Sequence, residues 1–145
     1  MKKTSLSIVV PAYNEEENLE WFVKDILKTA PNMGFSRNNL EIIIINDGST
    51  DKTTTIASKL TKQYKNVKAI NKENNGYCQA VLLGIKEAKM KYVSYMPADG
   101  QTLLLDIVNC LQYLGNADLI LGDRGRRLDY SLLRLMASSI KPSTA

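Results

Sequence analysis

Residues Glu41 to Asp51, EIIIINDGSTD, decide the fold. Four consecutive isoleucines, Ile42 to Ile45, are β-branched and too apolar for a strand with one wet face, so they predict a strand buried on both sides in the middle of a parallel sheet. The run stops abruptly in Asn46, Asp47, Gly48, Ser49, Thr50 and Asp51, a cluster of turn formers and helix caps that places Asp47 at the carboxyl end of that strand. Open α/β sheets bind ligands at that edge. A carboxylate beside a glycine and two hydroxyls suits a ligand carrying hydroxyl and N–H donors better than a bare phosphate. The plainer reading, in which Asp47 only caps the next helix, has equal weight on this segment alone.

The chain on either side supplies the remaining elements. Leu6 to Val10 (LSIVV) predicts a buried strand ended by Pro11. Asn14 with Glu17 has the form of a capping box. Leu19, Phe22, Val23, Ile26, Leu27 and Ala30 then recur at helical spacing as far as Pro31. Glu16 and Glu17 fit the dipole at that helix start. After the 40–45 strand come a helix with Ile56, Ala57, Leu60 and Tyr64 inward, a short strand over 66–70, and a polar loop over 71–76. The next helix, 77–89, carries Ala80, Gly84 and Ala88 four apart, a small-residue stripe suited to close packing on a sheet. Lys91 to Met96 predicts a strand broken by Pro97 to Gln101. A helix marked by Leu103, Leu104, Ile107, Val108, Leu111 and Leu114 follows, then a fifth strand over 117–121 (ADLIL) and a basic turn at Arg124, Arg126 and Arg127. Tyr130 to Ile140 closes the series as a short amphipathic helix. Strands alternating with helices imply an α/β class with a mostly parallel sheet and right-handed crossovers.

Composition narrows the chemistry. The chain has 145 residues, 44% hydrophobic and 23% charged, which is ordinary globular usage and one domain's length. The net charge of +4 is spread over lysines on predicted helix surfaces, so a solvated face explains it and no nucleic-acid stripe is formed. There is no histidine, which excludes Ser-His and Cys-His nucleophile pairs and His-containing zinc sites, and leaves carboxylates, amides, lysines and oxygen-seeking metals. Cys78 and Cys110 lack CxxC spacing, and no signal peptide follows Met1, so both are expected as reduced thiols in a cytoplasmic chain. No apolar run approaches the roughly 18 residues of a membrane span.

Three strand ends therefore bring polar groups to one edge: Pro11 to Glu15, Asp47, and Asp99 with Gln101. Several such groups converging on the ligand edge of one sheet make a binding site, where any single aspartate would be a turn residue. Neither GxGxxG nor GxxxxGK[ST] occurs, so a dinucleotide fingerprint and a P-loop are both excluded.

Five motifs in order, VVPAYNEEENL (9–19), INDGSTDKT (45–53), NNGYCQAVLLGIKEA (74–88), MPADGQ (96–101) and LGDR (121–124), strongly resemble family 2 glycosyltransferases, nearest the dolichyl-phosphate mannose synthase group. The resemblance implies a GT-A, Rossmann-like three-layer sandwich, with residues 1–124 binding a nucleotide sugar and residues 125–145 belonging to the same domain. It implies that Pro11, Tyr13, Glu15, Ile45, Asp47 and Ala98 hold the nucleotide, that Asp99 and Gln101 bind Mg²⁺ or Mn²⁺, and that Arg124 meets phosphate. It further implies sugar transfer, with inversion, from a nucleotide-sugar donor to a polyprenyl-phosphate acceptor at the inner membrane face, and no nucleic-acid partner. Two departures stand out. Pro97 occupies the first position of the family's DxD, and the chain stops soon after Arg124, where relatives continue through acceptor-binding elements. These departures favour a second reading, a non-catalytic nucleotide-binding module of the same lineage. No catalytic base can be named.

Overall fold

The computed structural model describes residues 4–114 and 117–122, and clusters the chain into two compact units, Met1–Gln112 and Tyr113–Ala145. Within the first unit the elements run β1 (Leu6–Ala12), α1 (Leu19–Thr29), β2 (Leu40–Asp47), α2 (Thr53–Gln63), β3 (Val67–Lys72), α3 (Tyr77–Glu87), β4 (Tyr92–Tyr95) and α4 (Leu104–Cys110). The four strands form one parallel sheet in the order β3-β2-β1-β4. All their carboxyl ends therefore lie on the same edge.

The isoleucine run occupies an interior strand, and every residue of β2 is buried. Successive strand side chains point to opposite faces, and the run divides accordingly. Ile42 and Ile44 join Ile8 and Val10 beneath α1 and α2, against Leu19, Phe22, Val23, Ile26, Ala57 and Leu60. Ile43 and Ile45 join Val9 and Ala80 on the α3 side. Helices on both faces make three layers. Burying each isoleucine is worth about 1.5–3 kcal/mol, which is why a strand wet on one side would not spend four of them in a row.

Gly84 sets the height of α3 above the sheet. A Cβ at this position would overlap the methyl groups of Val9, so the small-residue stripe allows the close approach expected of it. At the amino edge, buried Glu41 accepts hydrogen bonds from Ser7 Oγ at 2.8 Å and from the Lys89 N–H at 3.0 Å, and pairs with Lys68. Ser7 Oγ in turn accepts the Met90 N–H at 3.2 Å. This polar knot ties the α3–β4 turn to the two central strands.

Four expectations need correction. Pro11 does not end β1: the strand runs on to Ala12, with Pro11 paired in register with Ile45. The β1–β4 ladder stops at Val9–Tyr95, and Val9 O accepts the Met96 N–H at 2.8 Å. Backbone groups two residues apart face the same side of a strand, so the N–H that Pro11 lacks would have pointed where β4 has already left. Asn14 and Glu17 form no capping box. Helix α1 begins at Leu19, Asn14 has a left-handed φ of 54°, and its side chain serves another loop. β3 starts at Val67 and extends to Lys72, so two residues expected in a loop complete the ladder beside β2. The fifth strand over 117–121 is absent. Ala117 makes an isolated bridge with Leu114, and residues 118–122 take no regular element. Leu119 and Leu121 are 73% and 82% exposed, so a short apolar run without a ladder or a covering layer stays irregular. The expected helix over 130–140 and the boundary at residue 124 lie outside the described residues.

Candidate functional site

The loops after β1 and β2 are locked together by their own polar groups. Asn14 Oδ1 accepts the Thr50 N–H at 2.9 Å and the Thr50 hydroxyl at 3.3 Å, while the Asn14 N–H donates to Ser49 Oγ at 3.0 Å. The Glu15 N–H donates to Thr53 Oγ1 at 2.8 Å, the Glu16 N–H to Asp51 Oδ2 at 3.1 Å, and the Lys52 N–H to Glu16 Oε2 at 3.0 Å. Asp51 also accepts the N–H of Thr53, the first residue of α2, at 2.9 Å. The hydroxyls beside Asp47 are thus engaged in joining loops, and Glu16 is a loop tie where helix-start electrostatics were expected. The Glu15 carboxylate accepts from Asn18 Nδ2 at 2.9 Å, and Tyr13, the residue after β1, is half exposed.

Asp47 is the last residue of β2 and only 4% exposed. Its Oδ1 pairs with Lys72 Nζ and accepts the Asn75 N–H at 3.1 Å. Burial pushes the carboxyl's pKa up, but Lys72 and the backbone N–H groups of Asn75 and Gly76 outweigh it and hold the group below its ordinary range. Asp47 is therefore an ionised acceptor, and it does not cap α2. Gly48 follows with φ 72°, and a Cβ there would lie 2.7 Å from the Asn74 nitrogen, so the 72–76 loop presses against the β2 end. Buried Asn46 fastens the same corner by donating to Thr54 Oγ1 at 2.7 Å and Asn71 Oδ1 at 2.9 Å, and by accepting the Ser49 N–H at 3.1 Å. Ile45 is buried beneath it.

The third loop leaves β4. Met96 and Ala98 are buried and Asp99 is exposed. Asp99 Oδ1 accepts the Gln101 N–H at 3.0 Å, which forms a tight turn. Gly100, with φ 71°, packs under the Trp21 ring, where a Cβ would come within 2.7 Å. β1 lies between β2 and β4, so the strands leading to Asp47 and Asp99 run two strand spacings apart, about 10 Å across the sheet, and β4 ends at Tyr95, level with Ile43 and short of Asp47.

Among the described residues no three acids or cysteines gather as a metal-binding cluster. Asp99 and Gln101 nonetheless fit a hard cation. A carboxylate and an amide oxygen are the donors that Mg²⁺ and Mn²⁺ take, and Mg²⁺ bound beside phosphate commonly uses only one or two protein carboxylates, with water and phosphate oxygens completing its shell. Arg124 lies outside the described residues. Lys72 was missed by sequence reasoning, because nothing in INKENNG announces that its lysine ends a strand beside Asp47.

The family model "Glycosyl transferase family 2" matches residues 7–140. The chain belongs to this family. Among curated relatives, it is 32% identical over 104 residues to a dolichyl-phosphate β-glucosyltransferase of Trichomonas vaginalis, covering 70% of this chain and 32% of that protein. It is 34% identical over 124 residues to an uncharacterized protein of Methanocaldococcus jannaschii, covering 80% and 50%. In structure it is similar to the mannosyltransferase PcManGT of Pyrobaculum calidifontis, solved with GDP-Man and Mn²⁺, with TM-score 0.65 and 21% identity over 76% of this chain and 32% of that one. The chain thus spans about a third and a half of the length of these two curated relatives. The parallel sheet flanked by helices is a GT-A-type α/β fold, as expected from the motifs. No helix among the described residues is long and apolar enough to cross a membrane.

Proposed function

We propose that this chain is the donor-binding part of a glycosyltransferase that takes a sugar from a nucleotide sugar and transfers it, with inversion, to a polyprenyl phosphate. The observation that carries the reading is the shared edge: Tyr13 and Glu15 after β1, Asp47 at the end of β2, and Asp99 after β4 stand at the carboxyl side of three adjacent strands of one parallel sheet. In this reading Asp47 accepts from ribose or base. Pro11, Tyr13, Glu15, Ile45 and Ala98 shape and line the nucleoside seat, and Asp99 with Gln101 lies on the diphosphate side. One strand separates β2 from β4, which leaves Asp47 and Asp99 room to serve different parts of one nucleotide sugar.

In the transfer, an acceptor phosphate oxygen attacks the anomeric carbon as the bond from that carbon to the diphosphate oxygen breaks, and the electron pair departs with the nucleoside diphosphate. Mg²⁺ or Mn²⁺, when bound by Asp99 and Gln101, supplies positive charge to the leaving diphosphate. Arg124 would add a permanently charged planar donor to the same phosphates. Glu15 and Asp47 fix the nucleoside, so that binding energy far from the reacting bond orients it. The polyprenyl-phosphate acceptor is supported by two dolichyl-phosphate β-glucosyltransferases of Trichomonas vaginalis among the curated relatives, and an acceptor of this kind would bring the protein to the inner face of a membrane.

Pro97, standing where a first metal-loop aspartate would, favours a second reading: a module that binds the nucleotide without transferring sugar. Melting curves with a nucleoside diphosphate and Mn²⁺, run beside a transfer assay with UDP- and GDP-sugars and a polyprenyl phosphate, separate the two. Stabilisation with transfer supports the enzyme, and stabilisation without transfer supports the module. No stabilisation by any nucleotide overturns both.

A further inference from the structure

The inference concerns how the turn carrying Asp99 and Gln101 is held, and it rests on the nucleotide-binding reading above. Trp21 is the third residue of α1 and the chain's one tryptophan. The core face of that helix is Leu19, Phe22, Val23 and Ile26, all buried. Trp21 stands off this face, 48% exposed, and its ring packs elsewhere. The outer carbons of the indole, Cη2 and Cζ2, lie 2.7 and 2.9 Å from the point where a Cβ on Gly100 would stand, so the backbone of the turn rests directly against the ring. The same indole donates its N–H to Asn18 Oδ1 at 3.4 Å, and Asn18 Nδ2 donates to Glu15 Oε2 at 2.9 Å. One side chain thus touches the turn that carries Asp99 and Gln101 and, through Asn18, the carboxylate of the loop after β1.

We propose that Trp21 is a positioning residue for the cation: acting through the Gly100 backbone, it fixes the Asp99–Gln101 turn in place relative to Glu15. Gly100 has a φ of 71°, so glycine meets two demands there, the left-handed backbone of the turn and the absence of a Cβ beneath the ring. Tryptophan suits the task, because its large rigid ring turns about only two side-chain bonds and here it is carried on a helix. The turn offers one carboxylate, with Pro97 where a second would stand. A cation held by so few protein groups depends on where the Asp99 carboxylate and the Gln101 amide are placed. Replacing residues that orient metal ligands commonly lowers affinity by about ten- to a hundredfold.

The single tryptophan makes the contact measurable by fluorescence. With UDP or GDP bound, Mn²⁺ at Asp99 should quench the Trp21 emission, because a paramagnetic ion acts on a ring only at close range. Excess Mg²⁺, which is diamagnetic, should restore the emission, and Asp99→Ala should abolish the quenching. Calorimetric titration of both nucleotides into Trp21→Phe, whose side chain lacks the outer ring that meets Gly100, separates positioning from general support. The gain in nucleotide affinity conferred by Mn²⁺ should fall about tenfold, while affinity in chelator stays within about twofold of wild type. An undiminished gain in Trp21→Phe, or no gain in the wild type, overturns the proposal and leaves nucleotide binding intact. Equal weakening with and without Mn²⁺ also overturns it, since Trp21 would then support the whole site. Failure of the wild type to bind either nucleotide overturns both this proposal and the reading beneath it. Should Trp21→Phe not fold, the wild-type emission decides: Mn²⁺ binding seen by calorimetry without quenching, or quenching that persists in Asp99→Ala, overturns the proposal.

Discussion

Asn14 accepts the backbone N–H of Thr50 at 2.9 Å across a sequence separation of 36 residues, and so ties the loop after β1 to the loop after β2. This contact explains the left-handed backbone at Asn14, a conformation that asparagine tolerates better than most residues. It also carries a prediction. Asn14→Gly keeps the backbone permissible and removes only the side-chain bonds, which should cost about 1 kcal/mol. Asn14→Ala should cost roughly 1 kcal/mol more, because alanine is strained at positive φ. Urea denaturation midpoints should rank wild type, glycine, alanine in falling order, and both variants should bind UDP or GDP more weakly than wild type. Equal midpoints for the two variants would remove the strain argument.

Gly84→Ala should be destabilising although alanine is the better helix former. Its methyl would overlap Val9, so α3 must lift from the sheet at a cost of about 1–3 kcal/mol. Val9→Ala in the same chain makes room for that methyl. The double variant should recover part of the loss attributed to Gly84→Ala alone, and thermal melts of the four proteins form the cycle that checks it.

Acid should weaken the fold through Glu41 and Asp47. Burial raises the pKa of each, but for Glu41 the Lys68 ion pair with the Lys89 N–H and the Ser7 hydroxyl, and for Asp47 the Lys72 pair with nearby backbone N–H groups, leave both below their ordinary values of 4.5 and 3.8. The unfolded chain then binds more protons than the folded one in acid. The stabilisation is fully present above those ordinary values and is lost as pH falls through the lower folded ones. Stability measured from pH 7 downward should show no loss from these two groups until about pH 4.5 and should fall below it. Glu41→Gln should be less stable at neutral pH and flatter across the acid range. A variant curve parallel to that of the wild type would contradict the role of Glu41.

Pro97→Asp restores a second carboxylate to the loop that follows β4. Nucleoside diphosphate binding in Mn²⁺ should tighten several-fold, with no change when the metal is chelated. Titrations with and without Mn²⁺ check this, and a gain independent of metal would place the effect elsewhere.

The parts of the fold visible in the sequence were those where one physical demand dominated. Ile42 to Ile45 admit only a strand covered on both faces, and Ala80 with Gly84 admits close packing. What escaped depended on which segments meet. Asn14 has the pattern of a helix cap, but Thr50 lies near enough to claim its side chain. Pro11 looks like a strand terminator, yet β4 ends before reaching it, so no hydrogen bond is lost. Lys72 has the look of a loop lysine, and only the extra length of β2 and β3 brings it beside Asp47. ADLIL has the composition of a strand but finds no ladder within the described residues. The candidate site was legible as a set of strand ends, because parallel topology alone gathers them. The hydrogen bonds that lock its loops were not.

The central claim is that Asp47 and Asp99 serve the two ends of one nucleoside diphosphate, and titration of UDP and GDP into wild-type, Asp47→Ala and Asp99→Ala proteins, each with and without Mn²⁺, tests it most directly. Asp47→Ala should weaken binding in both conditions, and Asp99→Ala should remove only the metal-dependent part. Equal losses in both variants under both conditions, or no binding by the wild type, would contradict the account.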